Sequence, residues 1–253
     1  MVFVIQMTIR TFNEIKRKLS AGEAIVMTAQ EIKECTEKEA AEVDVVTTGT
    51  RGVMSGTYGV FSIPIKSSRF SKAKSLFLNG ICAHSGPCPN ENLNLIEAVV
   101  FGTASAGNYG AGMLFRDMLE NKPIHVEAVA KDGTQISEDV FFEDMPYAKL
   151  MSTRNAFRNY SAMTNPHDHP ITTIFHALEF PPNYKELTFS GCGSINPVQN
   201  DPSLRTIGIG TKVLVNGAEG FVTGAGTRST PQSPNLTAVA DMKEMNPDYM
   251  GGF

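Results

Sequence analysis

IHVEAVAKDGTQISEDVFF, residues 124–142, holds two runs of alternating apolar and polar residues separated by Lys131-Asp132-Gly133. A period of two sends successive side chains to opposite faces of a strand, and Asp-Gly supplies the positive φ angles of a type I′ turn. The stretch predicts a β-hairpin over 124–130 and 134–142. RTIGIGTKVLVNGAEGFVT (205–223) predicts a second, around Asn216-Gly217. Outward from these, Ser75 to Leu78 reads as a short strand. Leu95 to Phe101 is apolar enough for strand or helix, and Gly112 to Leu119 is amphipathic with helical spacing. Near the start, Thr11 caps a helix whose face is Phe12, Ile15 and Leu19 and which Gly22 closes. Ala24 to Met27 is a brief strand. Thr28 begins another helix with Glu31 as its capping box, and Val43 to Val46 is a strand again. The expected fold class is α/β: a mixed β-sheet with flanking helices and antiparallel hairpins.

The chain has 253 residues, 42% apolar and 19% charged, with a net charge of −4. That is enough to bury a core without staples. No basic run offers an electrostatic footprint for nucleic acid. The apolar stretches fall far short of the roughly 20 residues a membrane helix needs. The opening MVFVIQM lacks the parts of a signal peptide, so a cytoplasmic location with no membrane partner is expected. Homo-oligomerisation stays open. Four cysteines in such a chain read as free thiols, ligands or nucleophiles rather than a disulfide framework.

Two of them lie in NGICAHSGPCPNEN (79–92). Cys82, His84 and Cys88 have metal-type side chains, but C-x-H-x₃-C lacks a second half at zinc or iron–sulfur spacing, so no metal is assigned. Cys192, in FSGCGSINP, could join them only in space. Cys82 and Cys192 both follow short strands and lead into glycine-rich turns, where neighbouring N–H groups would favour a thiolate. The alternative is that each is a small buried apolar residue. Cys35, on a polar face between Glu34 and Thr36, is set aside. The turn Thr47-Thr48-Gly49-Thr50 offers N–H and hydroxyl donors to an anionic group. In TRNAFRNY (153–160), Arg154 and Arg158 stand one turn apart if the segment is helical, and Arg205 precedes the last glycine-rich hairpin. Arginine forks suit a substrate carboxylate. His167 and His169 in NPHDHP form a metal-type pair that reads better as a solvated turn.

RTFNEIKRKLSAGEAIVMTAQEI (10–32), DVVTTGTRGVMSG (44–56), LFLNGI (76–81), YGAGMLFRDML (109–119) and above all NDPSLRTIGIGTKVLVNGAEGFV (200–222) resemble the homocysteine-biosynthesis family, the L-aspartate-semialdehyde sulfurtransferases. GPCPNE, DMPYAKLMSTRNAFRNY and the tail ADMKEMNPDYMGGF look more like a sister branch, methanogenesis marker protein 16. The resemblance implies a sulfurtransferase-like core over residues 10–230. It also implies a 231–253 extension leading to a ferredoxin-like domain absent from this chain. The implied activity carries sulfur as a cysteine persulfide to a small carbonyl or carboxylate substrate such as aspartate semialdehyde. Electrons would come from a ferredoxin-like partner. No cofactor is expected in this chain, and an iron–sulfur cluster only on the absent domain or the partner. The family's own cysteines are missing: Met54-Ser55 and the segment 132–135 stand in their places. The expected working sulfurs are therefore Cys82, Cys88 and Cys192, with Thr47, Thr48, Gly49, Thr50, Arg154, Arg158 and Arg205 holding substrate. The other implied reading is a non-catalytic ligand-binding or scaffold half of an iron–sulfur protein linked to methanogenesis.

Overall fold

The computed structural model describes residues 10–28, 31–47, 57–66, 70–86, 93–155, 161–171, 181–185, 187–190, 208–225 and 235–247. At the start, α1 (Phe12–Ala21) begins where the Thr11 hydroxyl accepts from the Glu14 N–H at 3.2 Å and ends at Gly22, φ +69°. Its face of Phe12, Ile15 and Leu19 is only half-buried. The strands β1 (Val26–Thr28) and β2 (Val45–Thr47) pair in parallel. Between them lie a single 3₁₀ turn, Glu31–Glu34, and α2 (Glu37–Glu42).

Thr28, the expected start of a capped helix, ends strand β1, and a capping box stands at Thr36 and Glu39. There the Thr36 hydroxyl accepts from the Glu39 N–H, and the Glu39 carboxylate accepts from the Thr36 N–H at 2.8 Å. Both sites have the T-x-x-E spacing, but only the second is followed by a run of strong helix formers, EKEAAE. Asp44 ties this region together. Its side chain is 1% exposed and meets Arg10 Nε at 2.9 Å, Lys18 Nζ at 2.7 Å and the Ile25 N–H at 3.0 Å. The hydrogen bond from Lys18, then that from the Ile25 amide, holds the carboxyl below its usual pKa.

The rest is mostly strand: β3 (Thr57–Pro64), β4 (Ala73–Leu78), β5 (Ile81–Ser85), β6 (Leu95–Phe101), β7 (Ser105–Ala106) and β8 (Tyr109–Gly110) precede α3 (Ala111–Leu119). After it come β9 (Ile124–Ala130), β10 (Gln135–Val140), β11 (Tyr147–Asn155), β12 (Ser161–Thr164), β13 (Leu187–Ser190), β14 (Lys212–Val215), β15 (Ala218–Ala225) and β16 (Asn235–Asp241). Ten of these make one sheet in the order β10-β9-β4-β5-β6-β3-β11-β16-β15-β14, antiparallel throughout. The fold is α/β, with the parallel pairing confined to β1 and β2. Strand β16 lies between β11 and β15, so the 231–253 stretch contributes an interior strand of the sheet. No helix among the described residues is long and apolar enough to cross a membrane.

Both expected hairpins form. Asn216 (φ +49°) and Gly217 (φ +83°) make a two-residue turn that sets Val215 opposite Ala218. At 131–133 only Gly133 is left-handed, φ +90°. Its N–H reaches the Ala130 carbonyl and the Ala130 N–H reaches the Thr134 carbonyl, giving a three-residue loop with a glycine bulge instead of type I′. Leu95 to Phe101 is strand β6, with burial alternating along it.

One face of the sheet buries Phe61, Ile63, Leu76, Leu78, Ile81, Ile96 and Ile124 against Leu114, Phe115 and Met118 of α3. Each such side chain contributes roughly 1.5–3 kcal/mol by leaving water. Gly59 makes room for this contact: a Cβ there would stand 2.4 Å from the Phe61 ring and 3.0 Å from that of Phe115. The two rings sit 5.7 Å apart, tilted by 54°.

Candidate functional site

The site is built on the β4–β5 hairpin. Asn79 (φ +48°) and Gly80 (φ +78°) form its two-residue turn, which pairs Leu78 with Ile81. An Asn-Gly pair tolerates two successive left-handed residues, and the primed turn matches the twist of the strands. Asn79 is held on both sides of its amide. Its Oδ1 accepts from the His125 N–H at 2.7 Å, and its Nδ2 donates to the Tyr109 hydroxyl at 3.2 Å. Tyr109 in turn donates to Asp117 of α3 at 2.6 Å. Burial first, and the Asp117 carboxylate second, push the Tyr109 phenol well above its usual pKa, so it stays a donor.

This locked turn fixes which way β5 faces. Ile81 and Ala83 enter the core, so Cys82 and His84 share the opposite, exposed face. Cys82 pairs with Phe77 of β4, itself 37% exposed. The His84 ring packs 5.2 Å from that of Phe101, which meets Tyr58 edge-on at 6.3 Å. An accessible thiol thus lies beside an imidazole and an aromatic wall, two residues apart along one strand face. Imidazole is a proton acceptor near neutral pH and the thiolate is the nucleophile, so these are the groups sulfur transfer requires.

The expected setting of Cys82 is corrected here. It sits inside strand β5, two residues after the Asn79-Gly80 turn, and not at the strand's end. The imidazole that shares its strand face is His84. Arg154 is also corrected: it lies on strand β11 opposite Leu236, so the helical spacing to Arg158 does not apply. Thr47 ends β2, opposite Thr28. Cys88, Cys192, Thr48, Gly49, Thr50, Arg158 and Arg205 lie outside the described residues.

The His167–His169 segment is a solvated turn. Buried Asn165 accepts from the His167 N–H at 3.0 Å and donates to the His169 carbonyl at 2.9 Å. Among the described residues, no three His, Cys, Asp or Glu side chains converge as metal ligands. A second polar group lies on the exposed side of β9–β10, where His125 meets Asp139 at 2.7 Å and Ser137 at 3.1 Å. His125 and Asp139 are direct cross-strand partners, and the trio braces that hairpin. Two features escape the opening reading: the Asn79-Gly80 turn and the outward facing of His84. The Asn-Gly dipeptide between apolar runs is the signal for the first, and the second follows from counting in twos from the turn.

Comparison with known proteins now bears on this arrangement. The profile of the family described as homocysteine biosynthesis enzyme, sulfur-incorporation, matches residues 24–253. This chain belongs to that family. It is 45% identical over 252 residues to an uncharacterized protein of Methanothermobacter thermautotrophicus, covering 96% of this chain and 58% of that one. An L-aspartate semialdehyde sulfurtransferase of Methanocaldococcus jannaschii is 32% identical over 266 residues, covering 96% of this chain and 50% of the relative. A protein of the same name from Methanosarcina acetivorans is 32% identical over 259 residues, at 95% and 50%. The chain thus spans about half the length of these relatives. No solved structure matches it.

Proposed function

We propose that this homocysteine-biosynthesis family member carries sulfur on Cys82 and delivers it to a small carbonyl or carboxylate substrate of the aspartate-semialdehyde kind. The observation behind this reading is the exposed Cys82 thiol, held on the same strand face as His84. The Cys82 thiolate takes the outer sulfur of a persulfide donor of the RS–SH class, whose S–S bond breaks as RS⁻ leaves, and so becomes a persulfide. The terminal sulfur attacks the aldehyde carbon as His84 gives a proton to the carbonyl oxygen. Four electrons from a ferredoxin-like donor, with four protons from solvent, complete the reaction: two cleave the S–S bond and return Cys82 to the thiol, and two reduce the carbon to the thiol level as its oxygen leaves as water. Cys88, six residues on, is proposed to resolve the persulfide, and Cys192 to approach the same place. Thr47, Thr48, Gly49 and Thr50 are proposed as donors to the substrate, and Arg154, Arg158 or Arg205 as the clamp on its carboxylate. Kinship with relatives named L-aspartate semialdehyde sulfurtransferase supports the substrate class.

Intact-mass analysis after treatment with inorganic polysulfide tests this. The wild-type chain gains one sulfur atom, the Cys82→Ser variant loses that gain, and a gain unchanged by Cys82→Ser contradicts the assignment.

A second reading is that this chain holds a ligand for an iron–sulfur protein, with no covalent catalysis of its own. That role needs no accessible nucleophile, so thiols silent until denaturation favour it.

A further inference from the structure

A groove of about 570 Å³ opens between α1 and the β14–β15 hairpin, lined by Asn13, Lys16, Lys212, Glu219, Phe221 and Glu244 along with backbone. One ion pair crosses it, and a second lies along its hairpin wall, where Lys212 Nζ also stands 5.4 Å from the centre of the Phe12 ring of α1. Lys16 Nζ lies 3.0 Å from Glu244 Oε2, and Lys212 Nζ lies 2.6 Å from Glu219 Oε1. All four side chains keep contact with water, and pairs of this kind are weak enough for a ligand charge to take the place of either partner. Lys212 stands opposite Phe221 across the hairpin, and Glu219 lies two residues before Phe221 on the same face. The Phe221 ring is 51% exposed, so an apolar surface sits between the charges. Gly220 keeps the hairpin close against β16: a Cβ there would fall 2.5 Å from the Val239 carbonyl oxygen.

The balance of charge identifies the ligand class. An anion site would show surplus cations, and a metal site converging carboxylates. This groove presents two ammonium groups and two carboxylates beside an aromatic ring. We propose that it binds a small free amino acid as the zwitterion. The ligand carboxylate meets Lys16 and Lys212, its ammonium meets Glu219 and Glu244, and its side chain rests on Phe221. Cys82 lies on β5, five strand spacings from β15, roughly 24 Å along the sheet. The site is therefore independent of the sulfur chemistry proposed at Cys82. Because Lys16 and Asn13 belong to α1, whose apolar face is only half-buried, the bound amino acid bridges α1 to the sheet.

Calorimetric titration of the full 253-residue chain with L-homoserine tests the proposal. Two analogues lack one charge each: 4-hydroxybutyrate has no ammonium and 3-aminopropan-1-ol no carboxylate. L-homoserine saturates a single site, and each analogue binds at least about tenfold more weakly. Lys16→Met and Glu244→Gln, both at exposed positions, weaken homoserine binding by about tenfold with an unchanged circular dichroism spectrum. Cys82→Ser leaves it unchanged, which separates this site from the thiol. The proposal is overturned if either analogue binds as well as homoserine, if both groove variants bind normally, or if no saturation occurs by roughly 10 mM.

Discussion

The ten-stranded sheet and the N-terminal segment of residues 10–47 hold together by different means. In the sheet, whole side chains such as Phe61, Ile63, Leu114 and Phe115 are removed from water. In the N-terminal segment, neither α1 nor α2 has a fully buried residue, and the organising contact is one buried carboxylate, Asp44, with two cations and an amide. Apolar burial is insensitive to pH and salt, whereas a charge cluster is exposed to both. The two regions should therefore fail under different conditions.

The largest effect is expected in the core. Phe115→Ala removes the ring that α3 packs on Phe61 and should cost about 3–5 kcal/mol in urea unfolding. A loss below that of a surface substitution would break the contrast from the sheet side. Next comes Asp44→Ala, which strands Arg10 and Lys18. Both cations are about a quarter exposed and can recover water, so the loss should stay near 1–3 kcal/mol. Hydrogen exchange should rise across 10–47 and remain unchanged in β9.

Acid sharpens the same comparison. The pKa of Asp44 is lowered on folding, so its contribution is fully present above the unfolded value, about 3.9. It is lost as pH falls below that, through the lowered folded value. Exchange in 10–47 should accelerate below about pH 4, and this change should vanish in Asp44→Ala.

Asn79→Ala takes a side chain that tolerates φ +48° and bonds both His125 and Tyr109, and replaces it with one that does neither. It should cost about 1–2 kcal/mol, and Asn79→Gly less, since glycine keeps the backbone conformation. Thr36→Ala should be the smallest, about 0.5–1 kcal/mol, lost from the cap of α2 alone.

How legible each part was follows from how local its cause is. The β9–β10 and β14–β15 hairpins were read correctly because period-two alternation and a turn dipeptide lie within a few residues of one another. Even so, the turn type at Asp132-Gly133 was misjudged, since Asp-Gly serves both the two-residue turn and the three-residue loop with a bulge. Thr28-x-x-Glu31 and Thr36-x-x-Glu39 match equally as spacings, and the run EKEAAE places α2 after the second. The segment TRNAFRNY contains no helix breaker, whereas the strand state of Arg154 is set by its pairing with Leu236 of β16, remote in sequence. For the site, the type of residue was legible and its direction was not. Cys82 stood out as a thiol, but its exposure on the face of His84 depends on the register fixed by Asn79-Gly80. Among the other nominated residues, only Thr47 and Arg154 fall on described backbone.

The account turns on a thiol that solvent can reach from a rigid strand. Alkylation of the folded chain by iodoacetamide, followed by peptide mapping, measures this directly. Cys82 should be modified without denaturant, faster than Cys35, whose sulfur lies half-buried 3.5 Å from Met27 Sδ. Modification of Cys82 only after unfolding would contradict the account.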